Sequence, residues 1–96
     1  MPVVLVHDSI TQEQYDESIR RLTGGAKTTM ESTADWPVPG LLSHTAGQGA
    51  NGFRVVDVWE SQEALEAFGG HLMPILSDIG VTGEPDIYPT HSYVSA

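Results

Sequence analysis

Along "NGFRVVDVWESQEALEAF", residues 51–68, the spacing of apolar side chains changes partway. Up to Trp59 the chain alternates, with Phe53, Val55, Asp57 and Trp59 on one side and Arg54, Val56 and Val58 on the other, as in a strand. Beyond Ser61, a helix cap, the apolar positions Ala64, Leu65, Phe68 and Leu72 follow helical spacing. Upstream, the β-branched run Val3–His7 predicts a buried strand. Thr11 then offers an N-cap with Gln14 at the capping-box position, and Tyr15, Ile19 and Leu22 share one helical stripe that ends at Gly24 and Gly25. "LLSHTA" predicts a second strand and "GQGANG" the turn of a hairpin. In the second helix, Gly69, Gly70 and Pro74 predict a bend or a break into two short helices. Ile87 to Val94 reads as a last strand, with Pro89 marking an edge or a bulge. Residues 27–39 are polar and end in "DWPVP"; a loop of that length marks a binding loop or a lid lying over the domain.

The order β-α-β-β-α-β is the split βαβ arrangement: an α+β, ferredoxin-like domain spanning residues 1–96, with a four-stranded antiparallel sheet and both helices on one face. The expected strand order is 4-1-3-2. Val56 and Val58 suit the helix layer, which leaves Phe53, Val55, Asp57 and Trp59 on the open face. An apolar patch of that size is more than a monomer normally leaves in water, so a second copy packed sheet against sheet is expected.

Charge narrows the partners. The 96 residues carry 13 Asp and Glu against 4 Lys and Arg, a net charge of −9. Such a surface repels phosphate backbones and anionic lipid, so neither nucleic acid nor a membrane surface is an expected partner. No apolar run is long enough to span a bilayer, and "MPVVLVHDSI" lacks the features of a secretion signal, so the cytoplasm is the expected compartment. With no cysteine, disulfides, thiolate nucleophiles and thiolate metal sites are excluded.

"FRVVDVWESQEALEAF", "PGLLSHTAG" and "MPVVLVH" resemble the antibiotic-biosynthesis-monooxygenase type of dimeric α/β barrel across nearly the whole chain. That resemblance implies two ferredoxin-like protomers closing a barrel around a pocket. The superfamily's activities include cofactor-free quinone-forming oxygenation, haem degradation, isomerisation, decarboxylation and polyketide cyclisation. Its haem-degrading branch has asparagine, tryptophan and histidine where this chain has His7, Phe68 and Ser77, so haem degradation is not expected, and His71 is the one substitute ligand. The acidic residue that the cofactor-free monooxygenases keep near the end of the third strand is matched by Asp57.

The candidate catalytic residues are His7, Asp57 and His91, and the candidate substrate-binding residues His44, Phe53, Trp59, Phe68 and His71. His7 lies on the alternating face of Val3 and Leu5, where it serves either as a general base or as a strand-end histidine bonded to the loop. His44 and His91 belong to strands at opposite edges of the sheet, so convergence of three histidines on a metal within one protomer is not expected. Asp57 beside aromatics acts either on substrate or as half of a structural pair. Trp59 and Phe68 suit a core or a pocket wall. The expected function is a pocket for a small aromatic or hydrophobic, polyketide-like molecule. If the chain is an enzyme of this kind, a histidine removes a phenolic or enolic proton and the carbanion reacts with oxygen without a cofactor. The same pocket also suits a non-catalytic ligand-binding or stress-associated barrel, or a cofactor-free isomerase or lyase.

Overall fold

The computed structural model describes residues 2–95. Strand β1 (Val3–His7) leads through helix α1 (Gln12–Leu22) to the hairpin of β2 (Leu41–Gly49) and β3 (Gly52–Trp59). Helix α2 (Gln62–Asp78) and strand β4 (Asp86–Pro89) complete the chain. All pairings are antiparallel and the sheet order is β2-β3-β1-β4, as the split βαβ pattern requires. Thr11 caps α1 through a full capping box with Gln14, and Ser61 caps α2 by accepting from the Ala64 N–H. Gly24 and Gly25, at φ 66° and 92°, end α1 in the left-handed region.

The two faces of the sheet are the reverse of the expectation. Phe53, Val55, Asp57 and Trp59 turn toward the helices and are buried, whereas Val56 and Val58 lie on the open face and are only half-buried. Strand alternation separates the two sets but does not say which one meets the helices, and valine suits either side. Aromatic packing decides it. Trp59 stacks on Phe68 of α2 with ring centroids 4.9 Å apart, and Phe53 meets Tyr15 of α1 at 5.3 Å. The open face carries the cross-strand pairs Val4–Val58 and Val6–Val56, with Tyr88 beyond Val4 and with Ser43, Thr45 and Asp86 at the margins. It is less apolar than expected.

Two further elements differ. Helix α2 runs unbroken through Gly69, Gly70 and Pro74. Gly70 and Pro74 both lie on its exposed side, so the carbonyl that Pro74 leaves without a helical donor is open to water. Strand β4 ends at Pro89 rather than Val94. Thr90 then bonds the Pro2 carbonyl through its N–H (2.9 Å) and its hydroxyl (3.0 Å), and the residues that follow are exposed.

The segment between α1 and β2 holds a 3-10 turn (Thr33–Asp35) fixed by the Asp35 carboxylate, which accepts from the Glu31 N–H (2.8 Å) and the Ser32 N–H (3.2 Å). The Glu31 N–H above all holds this carboxyl below its ordinary pKa. Trp36 follows and is buried in the core cluster with Trp59, Leu65 and Phe68. The segment returns to the sheet at Gly40, whose φ is 112° and where an added Cβ would lie 2.6 Å from that of Ala64. Only glycine allows that approach.

Trp59 is fully buried and its indole N–H has no partner among the described residues. Trp59→Ala removes the stack on Phe68 and is expected to cost about 3–5 kcal/mol. Trp59→Phe keeps a ring and removes the unpaired N–H, so it should cost clearly less. Denaturant unfolding of the two variants checks the order.

Candidate functional site

Two rows of helix-facing side chains cross the sheet. One runs His44–Asp57–Leu5–Ile87, the other Ala46–Val55–His7. Above them α1 contributes Tyr15 and Ser18, α2 contributes Leu65, Phe68, Leu72 and Leu76, and the α1–β2 segment contributes Trp36. Together they enclose a cavity of about 190 Å³, walled almost entirely by carbon.

The polar exceptions form a chain. His44 Nδ1 lies 2.5 Å from Asp57 Oδ1, and His44 Nε2 lies 2.6 Å from the Tyr15 hydroxyl. A carboxylate only accepts, so Nδ1–H of His44 donates to Asp57; Nε2 of the neutral ring then accepts from the tyrosine O–H. The hairpin turn creates the first of these contacts. Pairing that starts at Gly49 and Gly52 holds one register down to His44 opposite Asp57, and it shifts only at a bulge beyond Ser43. Directly opposed residues share a face, so the imidazole and the carboxylate point together toward the helices. Trp36 packs edge-on to the His44 ring at 4.7 Å and Phe53 supports Tyr15 from the other side. Burial raises the Tyr15 pKa to about 12, and the nearby Asp57 and Asp16 charges add to the rise. At neutral pH the tyrosine is therefore a proton donor to His44.

His7 stands apart from this chain on the same cavity wall. It is only 5% exposed, and its Nδ1 accepts from the Ser9 N–H at 3.3 Å, which leaves the hydrogen of the neutral ring on Nε2. Burial lowers the pKa of His7, an effect that Asp8 and the neighbouring Gly83 backbone partly offset. No acceptor meets Nε2 in hydrogen-bonding geometry among the described residues. The ring of His7 thus lines the apolar cavity, with its Nε2 buried beside the Gly83 backbone.

The sequence-derived candidates divide accordingly. His7, His44, Asp57 and Phe68 all line the cavity. Trp59 is core behind Phe68. Phe53 lies outside the cavity, along a shallow groove with Gln12, Asp16 and Gln48. His71 is on the exposed side of α2, His91 is exposed past the end of β4, and neither lines the cavity. Asp57 does not sit on the open face of the sheet but on the helix side, paired with His44. Sequence reasoning misses Tyr15 and Trp36 as site residues. The available signals are a hydroxyl on an otherwise apolar helical stripe and a tryptophan within a polar loop. Among the described residues no three metal-ligating side chains converge, and no helix is long and apolar enough to cross a membrane.

Neither a protein-family profile nor a curated protein matches this sequence. Among solved structures, the chain is similar to one from Chloroflexus aurantiacus J-10-fl named as an antibiotic biosynthesis monooxygenase, with 19% identity, a TM-score of 0.55 and 98% of each chain covered. It is also similar to a monooxygenase from the gene ActVA-Orf6 of Streptomyces coelicolor, solved in complex with the ligand Nanaomycin D. There the identity is 23%, the TM-score is 0.50, and 99% of this chain and 91% of the other are covered. The chain therefore has the ferredoxin-like fold of antibiotic biosynthesis monooxygenases.

The raised Tyr15 pKa has a sign that can be measured. Unfolded tyrosine ionises near pH 10 and folded Tyr15 near 12, so stability is lost progressively as pH rises above about 10. In a tyrosinate absorbance titration of the three tyrosines, one late component near pH 12 is expected, and Tyr15→Phe should remove it. Three indistinguishable titrations near pH 10 would contradict the buried, hydrogen-bonded hydroxyl.

Proposed function

We propose that this protein is a cofactor-independent monooxygenase acting on a small aromatic or polyketide-like phenol or enol. The observation that carries the proposal is the Tyr15–His44–Asp57 hydrogen-bond chain, which ends at an apolar cavity. A substrate O–H gives its proton to the Tyr15 oxygen while the Tyr15 proton passes to His44 Nε2. Asp57 stabilises the imidazolium that forms, the role of a buried carboxylate behind a catalytic histidine. His7, held as the Nε2–H tautomer, donates to the substrate oxygen on which negative charge develops. This division of labour moves the general base from His7, the sequence-derived candidate, to His44.

The carbanion form of the substrate then reacts with dioxygen. A C–O bond forms, and the resulting hydroperoxide loses water to leave a carbonyl, as in the conversion of anthrone and one O₂ to anthraquinone and one water. The substrate supplies both electrons that reduce the second oxygen atom, so no external reductant enters. Apolar walls exclude water from the carbanion, which would otherwise be reprotonated. The fold likeness and the name of the Streptomyces coelicolor neighbour, a monooxygenase in complex with Nanaomycin D, are consistent with this reading.

Oxygen uptake with anthrone tests it. Asp57→Asn, His44→Gln and Tyr15→Phe are each expected to lower kcat by about 10²-fold or more, the usual worth of a positioned acid–base group. His71→Ala and His91→Ala, which lie off the cavity, should leave it within about twofold. Saturable binding of anthrone with no oxygen consumption would instead assign a ligand-binding role, and turnover without oxygen a lyase or isomerase role.

The protein is further proposed to act as a homodimer through the open face of the sheet, where Val4, Val56 and Val58 lie beside Tyr88. Val58→Asp would set like charges against each other across a two-fold interface and should shift sedimentation from dimer to monomer. A wild-type chain that sediments as a monomer would remove the dimer from the proposal without touching the cavity.

A further inference from the structure

Helix α2 carries two adjacent glycines in its interior, Gly69 and Gly70, where glycine is the least stabilising residue apart from proline. Neither has the positive φ that would require glycine, and a Cβ built on either meets no atom within 4 Å. Backbone geometry and close packing therefore explain neither. Their surroundings differ in one respect: Gly69 lines the cavity and Gly70 does not.

Gly69 belongs to a second stripe of α2, with Gln62, Glu66 and Met73 at helical spacing, alongside the buried stripe of Leu65, Phe68, Leu72 and Leu76. Gln62, Glu66 and Met73 are exposed yet line the cavity, so this stripe is its mouth; Met73 is 50% exposed. The missing side chain at Gly69 leaves a notch between Glu66 and Met73. A cavity of about 190 Å³ exceeds the roughly 150 Å³ of a cavity that holds benzene, so a single ring leaves room within it. Glu66 at the mouth of an acidic protein disfavours anionic ligands.

Resting on the reading of the cavity as a phenol site, we propose that Gly69 sets the size of the substrate. The notch lets a neutral, planar ligand of two or three fused rings extend from the buried Tyr15 end of the cavity toward solvent, and a side chain at this position would shorten the ligand that fits.

The test is equilibrium binding of phenol, 1-naphthol and anthrone to the full chain, followed by quenching of tryptophan fluorescence. Wild type is expected to bind in the order anthrone, 1-naphthol, phenol. Gly69→Leu should weaken anthrone at least tenfold while changing phenol by no more than about twofold, and Gly69→Ala should weaken anthrone by a smaller factor. Gly70→Leu should leave all three within twofold. Gly69→Ala and Gly70→Ala should both raise Tm, and should Gly69→Leu fail to fold by circular dichroism, Gly69→Ala decides the question. If wild type prefers phenol, or the Gly69 variants bind anthrone as wild type does, the size filter is wrong and the phenol site stands. If wild type binds none of the three, the phenol site itself is wrong and the filter falls with it.

Discussion

The buried carboxylate of Asp57 is the constraint around which this molecule is arranged. It is 3% exposed on the helix side of the central sheet, among leucine, valine and tryptophan side chains. A carboxylate in such surroundings is expensive unless it is hydrogen-bonded, and the His44 ring, directly across the hairpin, meets that need. Once Asp57 claims Nδ1–H, the tautomer of His44 is settled and Nε2 faces Tyr15 as an acceptor. Removing His44 would leave the Asp57 carboxylate buried and unsatisfied, so the pair couples stability to whatever chemistry the site performs.

The remaining architecture holds that chain against an apolar space. Helix α1 delivers Tyr15 from the same stripe that packs Ile19 into the core, and the long segment before β2 delivers Trp36 onto the edge of His44. Asp35 fixes the turn just ahead of Trp36, and the close approach of Gly40 to Ala64 anchors its far end to α2. The loop is thus part of the cavity wall, tied at both ends, which suits a site that must keep water from a reactive carbon. His7 completes the site from β1, its ring on the cavity wall and its Nε2 buried beside the Gly83 backbone.

Much of this is legible in the chain without coordinates. The capping box at Thr11 and Gln14, the cap at Ser61, the hairpin glycines and the change of period at Trp59 all act within a few residues, and each produces the element it predicts. His7, His44, Asp57 and Phe68 are legible as site candidates because polar or aromatic groups on alternating faces stand out locally. Even the His44–Asp57 contact is implicit, since a two-residue turn at Ala50 and Asn51 fixes which residues face each other. Tyr15 and Trp36 stay hidden because a tyrosine on an apolar stripe and a tryptophan in a loop look like core until their neighbours are known.

The sequence by itself determined the order of elements, their caps and the split of each strand into two sets of side chains, because these depend on interactions between near neighbours. Tertiary structure alone decided which set meets the helices, that α2 continues through Pro74, and that β4 stops at Pro89. The first turns on the contacts of Trp59 with Phe68 and of Phe53 with Tyr15, the second on Pro74 lying on the exposed side of the helix, and the third on the bonds of Thr90 to Pro2. Alternation has no handedness of its own, so only the energy of packing one face against the helices chooses between the two.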